Sequence, residues 1–264
     1  MPAEPTRGRT GIARRAIGVV GELLITAGLL LLLFVAWQLW WTNLEADRKQ
    51  EAATTALARE FGDVAVPGLV PETREGDDPE AAAWSDRAEF GEPPKARRAL
   101  DGSTFAIMYI PRFGEDFARP VTRGVGPDVL DNLGIGHYPS TQMPGEPGNF
   151  AVAAHRQTHG GVFRGIDRLR VGDRIHVQTS EGYYTYAYRS TEIVHPTQTE
   201  VLLPVPHRPD AVPEAPLLTL TSCDPPFSTA MRIVSYAELE SWRPSSAGPP
   251  AAIADAVAAT VAGK

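Results

Sequence analysis

The chain has 264 residues, 43% of them hydrophobic, and its 25 Lys plus Arg against 32 Asp plus Glu leave a formal net charge of −7. That is one domain of ordinary size with attachments, or two small ones, and its acidity argues against a nucleic-acid partner, which needs a cationic surface. The single cysteine, Cys223, excludes an intramolecular disulfide framework and zinc sites of the CxxC type.

Residues 1–16 read as a short cytoplasmic tail. Residues 17–41, IGVVGELLITAGLLLLLFVAWQLWW, are apolar almost throughout and carry no charge between Leu23 and Trp37. As a helix they span about 37 Å, enough for a hydrocarbon core of about 30 Å. Trp37, Trp40 and Trp41 gather at one end, where indole rings favour the membrane boundary. A cleaved signal peptide would be shorter and end in small residues, so the stretch is expected to be a retained single-pass anchor in the bilayer. Arg7, Arg9, Arg14 and Arg15 precede it, against Arg48 and Lys49 just after it. That bias places the N-terminus in the cytoplasm and the rest outside. Glu22, about one turn inside the stretch, is the flaw in the pattern.

Residues 42–100 read as an acidic, partly helical and partly disordered extracytoplasmic spacer. Glu45 to Phe61 is rich in Ala, Glu, Arg and Lys and is expected to continue the helix from the membrane. From Val64 onward Pro67, Pro71, Pro79, Pro93 and Pro94 alternate with acidic residues, the texture of a solvated linker with little core of its own.

From about residue 101 the texture changes to short β-rich runs between Gly, Pro and Asp turns. Phe105–Ile110, Phe150–Ala153, Arg174–Thr179, Tyr183–Val194, Leu217–Thr221 and Arg232–Leu239 are the expected strands, with a hairpin turn at Ser180–Gly182. No helical pattern alternates with them, so an all-β, mostly antiparallel barrel or sandwich is expected over 101–243. One or two helical turns are expected around Val125–Leu133 and Phe163–Leu169. Residues 244–264 read as a flexible C-terminal tail.

Cys223 closes an apolar strand, and Asp224-Pro225-Pro226 stops that strand at once. A thiol so placed can meet a substrate. It needs a nearby cation or base to act as a nucleophile, and a lone cysteine can equally be a buried small hydrophobe. Asp224 beside it is a complication, since a carboxylate opposes thiolate formation. His155 likewise ends an apolar run, and can be a proton carrier or a hydrogen-bonded structural histidine. His155 and His159 form an HxxxH pair, but Gly160 and Gly161 argue against a helix and no third ligand is evident, so no metal site is assigned. Arg232 opens the run after the cysteine. If the two runs pair, its guanidinium comes near the thiol and can stabilise an oxyanion; otherwise it is an exposed strand arginine.

Together these residues resemble the sortase family. The strand end Thr219-Leu220-Thr221-Ser222-Cys223, the pair His155-Arg156 and Arg232 match the family's three motifs in order, with Ser222 where threonine is usual and Ala154 where glycine is common. Gly136-His137-Tyr138-Pro139, Met143 to Phe150, Thr158 to Phe163, Asp167-Arg168-Leu169 and Gly172-Asp173 are also similar, so the resemblance covers about 105–240 and is closest to the class E or class D housekeeping group of high-GC Gram-positive bacteria. It implies a sortase-like eight-stranded β-barrel with a few short helices, and a cysteine transpeptidase that needs no cofactor. The implied partners are secreted proteins carrying a C-terminal sorting signal of the Leu-Pro-x-Thr-Gly or Leu-Ala-x-Thr-Gly type, and a cell-wall peptidoglycan precursor as amine acceptor. By the same resemblance Cys223, His155 and Arg232 are catalytic, and Leu220, Thr221, Ser222 and Arg156 bind substrate. The proline-rich loop from Val194 to Pro216 would wall the substrate groove. Two alternatives stay open. One is a pilin-polymerising sortase whose spacer supplies a lid, with Trp84, Asp86 and Asp77-Asp78-Pro79 as the aspartate and aromatic material. The other is an anchored, non-catalytic β-barrel binding module. A cysteine-based L,D-transpeptidase fits less well, because Thr221-Ser222 stand where that family has histidine and glycine.

Overall fold

The computed structural model describes residues 9–64, 86–87 and 89–263. The chain divides into two units, Met1–Thr42 and Asn43–Lys264. A single helix, α1 (Arg9–Val64), contributes to both. Within the first unit, Ile17–Trp37 is a run of 21 residues with a mean hydropathy of 2.5 and side chains facing outward. At about 1.5 Å per residue it is long and apolar enough to cross a membrane as one span. Trp37 and Trp41 stack one turn apart, ring centroids 5.9 Å.

The second unit is built on eight strands: β1 (Thr104–Tyr109), β2 (Ala118–Arg123), β3 (Ile135–His137), β4 (Gly148–Ala153), β5 (Arg174–Gln178), β6 (Gly182–Val194), β7 (Pro216–Asp224) and β8 (Met231–Pro244). They close in the order β1-β2-β3-β4-β7-β8-β6-β5. Six neighbouring pairs are antiparallel, and β2–β3 and β4–β7 are parallel. Closure removes the sheet edges that would otherwise invite pairing with other chains. A short helix, α2 (Pro127–Leu130), and a 3-10 turn, Ile166–Arg168, fall where helical turns were expected. β2 and β3 escaped the sequence reading. β2 carries Pro120 and two arginines, and β3 is three residues long, so neither shows an apolar run.

Strand β1 explains its unbroken apolar sequence by being covered on both faces. Ala106 and Met108 point into the barrel core with Phe150, Ile175, Tyr186 and Leu220. Ile107 and Tyr109 point outward, beneath Leu57, Ala58 and Phe61 of α1 and beneath Ile253, Ala256 and Val257. The last group belongs to a segment expected to be a flexible tail. That expectation is corrected: the chain forms 3-10 turns at Ser245–Ala247 and Ala251–Ile253 and then helix α3 (Ala254–Ala262). The buried residues Ile253, Ala256, Val257 and Thr260 recur at helical spacing, and alanines between them cost little to order.

The acidic spacer is corrected in the same way. Ala46, Gln50, Thr54, Leu57, Ala58 and Phe61 are buried along one face of α1. Four of these six are polar or alanine, which is why the face reads as solvated. Further on, Trp242 Nε1 donates to Phe90 O (3.3 Å), Tyr184 Oη to Pro94 O (2.9 Å) and Ala96 N to Pro144 O (3.0 Å). Asp86, half of the suggested lid pair, ion-pairs with Arg243 at 3.2 Å. Burial pushes its carboxyl up to about 6, partly offset by Arg243. Arg243 lies eleven residues along β8 from Arg232, about 36 Å of extended chain. Asp86 therefore packs at the far end of that strand and not over the thiol. Trp84 and Asp77-Asp78-Pro79 lie outside the described residues.

Candidate active site

The three residues singled out for chemistry come from three elements that lie side by side. β7 and β8 pair antiparallel in a register that sets Cys223 directly opposite Arg232. β4 runs parallel to β7 on its other side, and the chain leaving β4 stays fastened to it. Ala154 N donates to Thr221 O at 3.2 Å, and Ser222 Oγ donates to Ala154 O at 2.7 Å. Arg156 Nη1 reaches Cys223 O at 3.4 Å. Residues on both sides of His155 are thus tied to residues on both sides of Cys223. The thiol is partly exposed, and the His155 side chain is 28% exposed.

Arg156 settles the complication raised by Asp224. Its guanidinium is buried, donates from Nη1 to Asp224 Oδ1, and lies 3.4 Å from Asp167 Oδ2. The carboxylate beside the thiol is therefore matched by a positive charge. The two terminal nitrogens of Arg156 face Asp224 and Asp167 and the residue is buried, so it is placed as a framework group under the thiol rather than on the open face of the groove. Leu220 is placed likewise: it is fully buried in the barrel core. The hydroxyl of Ser222 is committed to Ala154. Of the four residues assigned to substrate, Thr221 is the one that faces the groove, and its Oγ1 lies 3.2 Å from Val152 O and 3.0 Å from Tyr138 Oη.

That groove, about 250 Å³, runs between the β6–β7 loop and the thiol strand. Val194, Pro196, Val201 and Leu202 give it an apolar wall, and Tyr138, Thr221 and Arg232 line it toward the cysteine. The wall is anchored from inside by Asn149, fully buried, whose Nδ2 donates to Val201 O (3.0 Å) and Leu203 O (3.1 Å) while its Oδ1 accepts from Thr219 Oγ1 (2.7 Å). Arg232 Nη1 donates to Thr229 O (3.0 Å) and Met231 O (2.9 Å). Among the described residues no carboxylate pairs with it, so its remaining donors can take a carbonyl or an oxyanion in the groove.

The histidines divide by environment. His137 and His176 are buried, and burial pushes each imidazole down to about 4. At neutral pH they are uncharged framework groups, with His137 Nε2 hydrogen-bonded to Gln142 O at 3.0 Å and His176 Nδ1 3.1 Å from Thr185 Oγ1. His155 instead sits at the surface and donates from Nε2 to Asp131 Oδ1 at 2.7 Å. Asp131 follows α2 and lies 24 residues upstream, and nothing in the sequence spacing marks it. Its hydrogen bond fixes Nε2 as the protonated nitrogen and leaves Nδ1 to exchange a proton.

The loop after His155 turns sharply. His159, Gly160 and Gly161 have φ of 50°, 84° and 55°, a left-handed run that curls His159 back over His155 with ring centroids 5.0 Å apart. Helix α1 clamps the curl: Gln50 Nε2 donates to His159 O (3.1 Å) and Gly160 N donates to Asn43 Oδ1 (3.0 Å). A Cβ on Gly160 would stand 2.6 Å from Asp47 Oδ1, so this close approach requires glycine. Neither the clamp nor Asn149 was found by sequence reasoning, because each works through contacts between residues tens of positions apart.

Fold and site define a closed β-barrel with a thiol-centred cleft at one end of its two longest strands. Residues 108–240 match the family model described as the sortase domain. Over 252 residues the chain is 33% identical to sortase SrtE1 of Streptomyces coelicolor, covering 93% of this chain and 63% of that protein, so it spans somewhat under two thirds of that relative's length. It is 31% identical to sortase SrtE2 of the same organism, covering 86% of this chain and 83% of the relative. Among solved structures, the SrtA sortase of Actinomyces oris superposes with a TM-score of 0.59 at 38% identity, covering 61% of this chain and 93% of the other. Sortase E1 of S. coelicolor with a tripeptide in the active site gives 0.54 at 35%, covering 59% and 99%. The chain belongs to the sortase family, whose members are cysteine transpeptidases, and its relatives include class E sortases.

Proposed function

We propose that this protein is a membrane-anchored transpeptidase that cuts a C-terminal sorting signal of the Leu-Pro-x-Thr-Gly or Leu-Ala-x-Thr-Gly type between Thr and Gly. It then passes the new threonyl end to an amine of a cell-wall precursor. The observation that carries this reading is the register of Cys223 against Arg232, with the residue before His155 tied to the thiol strand and an apolar-walled groove that Arg232 lines.

In the first step the Cys223 thiolate attacks the threonine carbonyl carbon. Negative charge develops on the carbonyl oxygen, where the Arg232 guanidinium stabilises it. The C–N bond breaks, the glycine amine leaves with a proton from His155, and a thioester remains on Cys223. In the second step the acceptor amine attacks the thioester and gives up a proton to His155. The C–S bond breaks and the thiolate is restored. The apolar wall of the β6–β7 loop takes the leucine and the second residue of the motif. The arginines before the span support an extracytoplasmic barrel through the positive-inside bias, on the side where secreted substrates and wall precursors meet.

The test uses the full-length protein in detergent micelles, the two peptides and a small amine. Mass spectrometry is expected to find Thr–Gly cleavage, an acyl adduct on Cys223 and an amine-transfer product, all absent in Cys223→Ala. A folded protein whose thiol reacts with an alkylating reagent, yet which cleaves neither peptide, would overturn the proposed motif.

A further inference from the structure

We propose that Asp131, His155 and His159 form a binding site for a divalent transition-metal ion, zinc by the chemistry of the donors, and that occupancy of the site withholds the proton carrier from the thiol. The inhibitory half rests on the function proposed above; the binding half does not.

Two imidazoles and one carboxylate are a common donor set for zinc, with an open fourth position for water. The three ligand atoms lie within 4.8 Å of one another. Zinc bonds to nitrogen or oxygen at about 2.1 Å, so ligands in tetrahedral array stand about 3.4 Å apart. The two separations to the carboxylate bracket that figure, His155 Nε2 at 2.7 Å and His159 Nδ1 at 3.7 Å from Asp131 Oδ1, and no pair of ligand atoms is more than 4.8 Å apart. The three atoms thus face one common point that an ion could occupy once the side chains draw in around it. His159 supplies an independent sign. Its Nδ1 is buried and has no hydrogen-bond partner among the described residues, and 3.7 Å is too long for a hydrogen bond to Asp131. A buried nitrogen aimed at a carboxylate and falling short of it is what a bridging cation satisfies.

The site is also held ready. A non-glycine residue at φ 50° is uncommon and persists when its surroundings impose it. Here Gln50 and Asn43 of α1 grip the backbone on either side of the His159–Gly160 bond. The side chains of Asp131, His155 and His159 are 36%, 28% and 33% exposed, so an ion can enter from solvent. Coordination through Nε2 displaces the hydrogen that nitrogen gives Asp131, so the neutral imidazole carries its one hydrogen on Nδ1 and has no lone pair left to accept another. It then neither takes a proton from the acceptor amine nor holds a second one for the leaving amine.

The test uses the full-length protein in detergent micelles with Co²⁺ as a spectroscopic probe and Zn²⁺ in calorimetry. Wild type and Cys223→Ala are expected to bind one ion with a visible Co²⁺ absorption band. His159→Asn, chosen because asparagine tolerates positive φ, and Asp131→Asn are expected to weaken binding by more than about tenfold. Micromolar Zn²⁺ should slow peptide cleavage by wild type, and His159→Asn, compared with its own metal-free rate, should resist the same zinc. Persistence of the Co²⁺ band in both site variants, or its loss in Cys223→Ala, would overturn the site. Binding without any effect on cleavage would overturn the inhibitory role. If no protein cleaves either peptide even without metal, the function fails, while the Co²⁺ band still decides the site.

Discussion

The two sides of Cys223 are built on different principles. On the histidine side, the loop from Ala154 to Gly161 has almost no apolar packing of its own. It is held by hydrogen bonds and ion pairs from β7, Asp131 and α1. On the groove side, the β6–β7 loop is stiffened by its own turns and prolines, tied to the buried Asn149, and seated by Val201 against Val194 and Val234. The difference teaches where precision is needed. A proton carrier works through geometry at one atom, and directed polar contacts from several elements supply that. A groove for an apolar motif needs a surface of the right shape, and a wall seated on apolar packing and tied by one buried amide supplies that.

Substitutions separate the two sides, and the largest effect should come from Arg156→Met. It leaves the Asp224 carboxylate beside the thiol without its guanidinium, for a destabilisation of about 3 kcal/mol by denaturant titration. Cleavage activity should fall further than the stability loss explains, and Asp224→Asn in the same chain should restore part of both. If the single variant is as stable and active as wild type, the histidine side does not depend on its polar contacts.

Asn149→Ala comes next. It frees the two loop carbonyls and strands the Thr219 hydroxyl, at a cost of about 2 kcal/mol. The peptide KM should rise while kcat stays close to wild type, since the wall loosens but the thiol does not move. A drop in kcat at constant KM would instead couple Asn149 to the chemistry and erase the distinction between the sides.

The smallest effect belongs to Asn43→Ala, which removes one partly buried hydrogen bond to Gly160 at a cost below about 1 kcal/mol. It should lower kcat modestly and leave KM alone, the reverse of Asn149→Ala, measured on the same peptide.

Much of this was legible in the sequence where structure follows from local pattern. The apolar helix, six of the eight strands, the hairpin at Ser180–Gly182 and the placing of Cys223 at a strand end all follow from runs and turn residues. Cys223, His155 and Arg232 were singled out by their motifs, and the β7–β8 register sets two of them face to face. Less legible were the residues whose meaning is relational. Arg156 and Leu220 look like site residues because they adjoin the motif, yet one neutralises Asp224 and the other fills the barrel. Asp131, Asn149 and Gln50 are ordinary polar residues until the fold brings them beside partners 24 to 109 positions away. The C-terminal helix was missed because alanine-rich sequence shows a helical face only once the complementary face of α1 and β1 is known.

The cover over β1 sets a timetable for the molecule. Its outer face is closed by residues near both ends of the barrel unit, and the bond from Arg59 Nε to Val261 O spans 202 residues. The helix segment that leaves the ribosome early must wait for the last helix to be made before Ile107 and Tyr109 are fully sheltered. Closing so long a loop is the entropically costly step, and contacts of such separation form late. The cover over β1 is therefore completed only when residues 253–262 arrive, and a chain stopped short of them presents an apolar strand to its surroundings.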